Sequence, residues 1–272
     1  MENFTEFLIK CRYTQTLSNQ NLLSIIDIYL KNENYENIVF DFLLLKLGTE
    51  KFEKFTEKFD SIAEIQEKAI TFIDSKYPEQ LRQIYNPPAL LFYRGDISLL
   101  ETKCLGVVGS RKATKYGEKC CNNFMPNLVG EYTIVSGLAK GIDAMAHVAA
   151  LNNNGKTIAV LGNSLDIYYP KINESVQKEI FEKGLVITEY PSGSKINRWH
   201  FPQRNRIISG LSEKVIVVEA EERSGALITA DLALENNRDV LAVPGRVDSK
   251  LSAGCNKLIE QGAIPLINLN NF

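Results

Sequence analysis

The sequence predicts an α/β fold: a doubly wound, mainly parallel sheet preceded by a small N-terminal helical domain. Three observations predict it. From residue 104 onward, short continuous apolar runs alternate with helix-length stretches, as in strands buried on both faces and joined by crossover helices. Before residue 75, apolar residues keep a helical period instead. Between the two, Asn86-Pro87-Pro88 stops the helical pattern, because proline excludes the right-handed helical region from the residue before it.

The helical domain is assigned to residues 1–75. Phe4, Phe7 and Leu8 keep i, i+3, i+4 spacing, and Leu22, Leu23, Ile26 and either Tyr29 or Leu30 follow Ser18-Asn19. Phe52, Phe55 and Phe59 lie among lysines and glutamates. These aromatic residues read as core. The second domain, residues 76–272, opens with a short strand at Ala89–Tyr93, which lies either inside or outside the main sheet. Strand-like runs follow at Cys104–Val108, Tyr132–Val135, Thr157–Leu161, Leu185–Thr188, Val215–Glu219, Val240–Val243 and Ala263–Ile267. Helices are expected around Gly117–Leu128, Ile142–Asn152, Glu174–Glu182, Pro202–Leu211, Ala226–Asn236 and Asn256–Gln261. This arrangement is Rossmann-like, and its ligands lie outside the carboxyl ends of the strands.

Composition narrows the function. The net charge of −2 argues against a broad nucleic-acid surface. The first 100 residues hold 11 basic and 15 acidic side chains, and the remainder 20 and 18. A phosphate site must therefore be a local concentration in the second domain. No apolar run approaches the roughly 18 residues of a membrane span, and no secretory leader is apparent. The odd count of five cysteines, with no CxxC pair, suits free thiols in a reducing cytoplasm. Two histidines and no ligand cluster give no basis for a metal site.

The loops after the strands carry the chemistry. In Gly109-Ser110-Arg111 the glycine turns the chain off its strand, and Ser110 and Arg111 face the next helix's N-terminus, an anion-binding position. The loop lacks GxGxxG, so no dinucleotide cofactor is expected. Ser136-Gly137-Leu-Ala-Lys140-Gly-Ile-Asp143 opens a helix with two glycines and a cation; Asp143 reads as a cap. Gly162–Asn173 carries Tyr168, Tyr169, Pro170 and Lys171. From Pro191 to Ser212 there is no acidic residue, while Lys195, Arg198, Arg204 and Arg206 stand among Trp199, His200 and Phe201. Basic groups attract phosphate and rings offer a face to unpaired bases. With Pro202 in a first helical turn, Arg204 heads the inward face of Ile207, Ile208 and Leu211, whereas Arg206 lies on another face. Gly155-Lys156-Thr157 precedes a strand instead of following one, which excludes a P-loop.

Together these loops resemble the DNA-processing protein A family (DprA, also called Smf). The resemblance rests on Gly109-Ser-Arg111, Ser136–Asp143, Tyr169-Pro170, Thr188-Glu-Tyr-Pro191 and above all Phe201-Pro-Gln-Arg-Asn-Arg-Ile-Ile-Ser-Gly-Leu-Ser212. Val218-Glu-Ala220, Ser224-Gly225 and Ala242-Val-Pro-Gly245 complete it, over about residues 75–267. It implies an extended Rossmann-like domain behind a sterile-alpha-motif-like one. It also implies a cytoplasmic, non-enzymatic homodimer, without cofactor, that binds single-stranded DNA, protects incoming strands in natural transformation and loads the recombinase RecA. The expected DNA-binding residues are Ser110, Arg111, Gly137, Lys140, Lys171, Phe201, Arg204 and Arg206. The alternative is a nucleotide-binding or nucleoside-monophosphate-hydrolysing enzyme with Glu219 as its acid.

Overall fold

A computed structural model describes residues 4–268. Four helices come first: α1 (Phe4–Tyr13), α2 (Asn19–Lys31), α3 (Tyr35–Leu47) and α4 (Thr49–Ser61). Ser18 caps α2 reciprocally: its hydroxyl accepts from Asn21 N–H, and the Asn21 side chain accepts from Ser18 N–H. Strand β1 (Ala69–Thr71), the single turn α5 (Glu79–Arg82) and β2 (Leu90–Gly95) lead into the alternating part. There β3 (Cys104–Val108), α6 (Lys115–Leu128), β4 (Thr133–Ser136), α7 (Ile142–Asn152) and β5 (Thr157–Leu161) are followed by α8 (Glu174–Lys183) and β6 (Leu185–Thr188). The chain ends with α9 (His200–Leu211), β7 (Lys214–Val217), α10 (Gly225–Glu235), β8 (Asp239–Ala242), α11 (Lys250–Glu260) and β9 (Ile264–Pro265).

The strands form one sheet in the order β1-β2-β6-β5-β4-β3-β7-β8-β9. It is parallel from β6 through β9, and β1 and β2 add antiparallel pairs at one edge. The strand expected at Ala89–Tyr93 thus joins the main sheet, with Phe92 opposite Thr188. After β3 the chain moves outward through β4, β5 and β6, then returns to place β7 on the other side of β3. That reversal makes a crevice at the carboxyl ends of β3 and β7.

Alternation along each strand sorts the core into layers. Cys104, Val108, Val135, Ile158 and Val160 face α9, α10 and α5 through Ile207, Ile208, Leu211, Ala230 and Leu81. Leu105, Val107, Ile134 and Ile216 face α6 and α7 through Met125, Ile142 and Ala146. The remainder of that second face, including Ala159, Leu161 and Val186, is covered by α8 and by the N-terminal helices.

The sequence places the helical region at 1–75, but Ala69–Thr71 is already a strand of the sheet. The helices also share their core with it: Leu8, Ile25, Leu43 and Phe55 belong to the same cluster as Leu90 and Phe92. Helix α9 starts at His200, ahead of the expected Pro202. Proline is tolerated there because first-turn N–H groups have no partner within the helix.

Candidate nucleic-acid interface

The loops after β3, β4, β5 and β7 converge on the start of α9 around two adjoining hollows. The larger, about 330 Å³, is lined by Gly109–Lys112, Asp143, Phe201, Arg204 and the Ser224-Gly225 start of α10. The smaller, about 150 Å³, is lined by Gly137, Lys140, Gly162, Tyr169 and Pro170. Arg111, Ala139, Phe201 and Arg204 line both.

Each wall is held by its own backbone and caps. The Ser110 carbonyl accepts from Ile142 N–H at 3.1 Å, and its buried hydroxyl accepts from Lys112 N–H at 3.0 Å. Gly141, at φ 86°, brings α7 against this loop so closely that a Cβ would strike the Ser110 carbonyl. Leu138 is held at φ 53°, a sparsely populated conformation for leucine. Asn173 fixes it by donating to the carbonyls of Leu138 (2.9 Å) and Ala139 (3.2 Å). Ser224 caps α10 by accepting from Ala226 N–H at 3.1 Å.

Arg204 is the floor. It is buried, and its Nη2 donates to the Gly137 carbonyl at 2.9 Å. Asp143, also buried, stands 3.9 Å from Nη1. Burial raises the Asp143 carboxyl above its usual range, opposed by Arg204 and by hydrogen bonds from the backbone of Ala139 and Gly137. Burial likewise lowers Arg204 to about 10, opposed by Asp143 and reinforced by Arg111. Arg204 Nε is buried with no acceptor. The floor is therefore a buried cation held by the Gly137 carbonyl and Asp143. In the Gly137 loop the N–H groups of Gly137 and Ala139 serve the Asp143 carboxylate. Its glycine lets the Arg204 guanidinium lie against the backbone, where a Cβ would overlap it.

The rim carries exposed charge and rings. Arg111 and Lys140 are exposed, and neither is in an ion pair among the described residues. Phe201 is half-buried against Gly162, with its ring centroid 5.4 Å from that of the exposed Tyr169. Lys171 lies just beyond, next to Pro170; its Nζ pairs with Glu174 at 2.7 Å and sits 5.6 Å from the centre of the Tyr168 ring.

Arg206, named among the expected contacts, points away from this cleft. Its terminal nitrogens donate to the two carboxylate oxygens of Glu189 at 2.9 and 2.7 Å, and both side chains are buried. A bidentate buried pair of this kind ties α9 to the end of β6. Glu219, the acid of the alternative enzymatic reading, is buried and occupied: Thr114 donates to it through N–H (2.8 Å) and hydroxyl (2.7 Å). Sequence reasoning missed Asn173 and its grip on the Gly137 loop, because an asparagine in a polar turn carries no distinguishing signal.

The fold has counterparts. The DNA processing protein DprA of Streptococcus pneumoniae is 44% identical over 254 residues, 91% of this chain and 89% of that protein. That of Bacillus subtilis is 38% identical over 273 residues, 97% of this chain and 92% of that protein. The X-ray structure of the Streptococcus pneumoniae DNA processing protein A superposes with a TM-score of 0.87 at 40% identity, covering 98% of this chain and 95% of that one. DNA processing protein A from Helicobacter pylori, whose structure was described for its unique single-stranded DNA binding mode, gives 0.69 at 31% identity over 76% of this chain and 94% of that one. A family model described as DNA recombination-mediator protein A matches residues 68–272. The chain belongs to that family, which spans the α/β sheet and every residue of the cleft.

Proposed function

We propose that this protein binds single-stranded DNA in the cleft at the carboxyl ends of β3, β4, β5 and β7, and acts there as a recombination mediator. The observation that carries the reading is the cation set. Arg204 is the buried charge of the floor, lining both hollows, and the exposed cations Arg111 and Lys140 stand on the rim above it. A phosphate in the cleft takes hydrogen bonds from the two rim cations and lies over the Arg204 charge. Phe201 and Tyr169 then offer faces to neighbouring bases, and base stacking contributes about 1–3 kcal/mol each without strong sequence preference. A duplex hides its base faces, so these rings favour the unpaired strand. The single-stranded DNA binding described for the Helicobacter pylori relative supports the same reading.

The site binds without cleaving. The cleft brings together cations and rings, and the candidate acid Glu219 spends both oxygens on Thr114. The finer parts of the proposal rest on family membership: a cytoplasmic homodimer that protects incoming strands and loads RecA during transformation. Anisotropy titration with single- and double-stranded oligonucleotides of one sequence tests the core of it. Tighter binding of the single strand is expected; equal affinity for both would contradict it. Faster RecA nucleation on single strands in the presence of this protein tests the loading role, and sedimentation equilibrium tests the dimer.

A further inference from the structure

Trp199 is the protein's single tryptophan, and it is held out in solvent, 59% exposed, at the start of α9. It is also held in place. Its ring meets the His200 ring at 4.2 Å and 85°. His200 in turn stacks on Tyr190 at 3.8 Å and 17°, and the Arg12 guanidinium of α1 lies 5.5 Å from the Tyr190 ring centre. His200 Nδ1 donates to the Gly162 carbonyl at 3.1 Å, on the wall of the smaller hollow. Burial keeps this imidazole below its usual pKa, so the neutral ring carries that donor while Nε2 remains free to accept from Asn197 at 3.4 Å. The indole thus presents a large, oriented face to solvent, with its N–H at the edge of the same ring.

Its surroundings indicate the ligand. Lys195 and Arg198 are exposed, and neither is in an ion pair among the described residues. No acidic residue occurs from Pro191 to Ser212. Two residues beyond Trp199, Phe201 lines both hollows and packs near Tyr169. An aromatic platform flanked by cations, next to a phosphate-binding cleft, has the features of a single-strand track.

We propose that Trp199 is a nucleobase-stacking ledge that carries a single strand out of the cleft, with Lys195 and Arg198 on the adjoining phosphates. The proposal rests on the cleft's being a single-strand site and extends it by a stacked base outside the two hollows. The ledge makes binding depend on strand length: a strand long enough to leave the cleft gains the stack, and a short one does not.

The single tryptophan makes the test direct. Wild-type protein is titrated with an unlabelled deoxythymidine oligonucleotide of about 20 nucleotides, longer than the roughly 4–16 that such sites cover, and followed by tryptophan fluorescence and, with a labelled strand, by anisotropy. Quenching with the same midpoint as the anisotropy change is expected. Trp199→Ala should lower affinity for that strand by about 5- to 150-fold, the range for loss of one base stack. It should leave affinity for a strand of about 4 nucleotides unchanged in competition, and Trp199→Phe should restore most of the loss. Binding by anisotropy with undisturbed fluorescence overturns the ledge and leaves the cleft. Quenching with no loss of affinity in Trp199→Ala overturns stacking, because proximity alone explains it. No binding by anisotropy overturns the cleft reading and the ledge with it.

Discussion

Arg204 lies directly against Gly137: its guanidinium donates to the Gly137 carbonyl at 2.9 Å and occupies the space that a side chain at 137 would need. One residue after β4 and the fifth residue of α9 thus form a single unit. The glycine is required for closeness to the arginine, and the arginine gives the cleft its buried charge.

Gly137→Ala should displace Arg204. Overpacking at such a contact costs about 1–3 kcal/mol of stability. Loss of a charge-assisted contact to phosphate, about 1.5–3 kcal/mol, should lower single-strand affinity by roughly 10- to 150-fold. Thermal melting and anisotropy on the same sample separate the two effects.

Arg206 and Glu189 form the second arginine pair of α9, and its role is structural. Arg206→Ala leaves the buried Glu189 carboxylate uncompensated, which for such pairs costs about 3–5 kcal/mol. A large fall in urea midpoint is expected, with single-strand affinity of the protein that remains folded within about threefold of wild type, the scatter of context effects on non-contact sites. A variant of normal stability that fails to bind DNA would make Arg206 a contact after all.

His147 gives the protein an acid limit. It is fully buried, and burial lowers its pKa to about 3. Its Nδ1 lies 2.6 Å from the Thr157 hydroxyl, which donates to the Ile134 carbonyl at 2.7 Å, so Nδ1 is the donor of this pair. The unfolded state, with an ordinary value of about 6.5, binds a proton that the folded state refuses between these two values. The contribution is therefore fully present above about pH 6.5 and is lost as pH falls toward 3. His147→Gln should flatten the dependence of urea midpoint on pH across that window; an unchanged slope would contradict the assignment.

The shared core predicts how the N-terminal helices behave when removed. Leu90, Phe92, Leu161 and Val186 are buried in one cluster with Leu8, Ile25 and Phe55. Deleting residues 1–61 should expose this half of the sheet, lower the melting temperature and increase binding of a hydrophobic dye. A truncated chain with an unaltered melt would show the helices to be an independent appendage.

Much of this was legible in the sequence. Continuous apolar runs such as Thr157–Leu161 and Leu185–Thr188 are strands at those residues, because burial on both faces leaves no polar position to blur them. The inward face of α9 was readable from Arg204, Ile207, Ile208 and Leu211, all buried. Strand β1 was not legible: three residues at the sheet edge are too short for period to show. The helical region's shared core was hidden too, since amphipathic spacing shows that a helix has an inner face but not what covers it. Arg206 was named as a contact because its charge is visible in sequence and its partner, seventeen residues earlier, is not. The Asn173 brace escaped because a neutral amide in a polar turn gives no sign of the backbone carbonyls it holds.

The measurement closest to the central claim is the salt dependence of single-strand affinity for wild type, Arg111→Ala and Arg111→Ala/Lys140→Ala. Each neutralised phosphate contributes about 0.7 to the slope of log K against log salt on single strands. Both side chains are exposed and unpaired, so the melting temperature should not move. The expected result is a slope shallower by about 0.7 for the single variant and about 1.4 for the double, with affinity falling at each step. A double variant that keeps the wild-type slope and affinity would contradict the placement of the strand in this cleft.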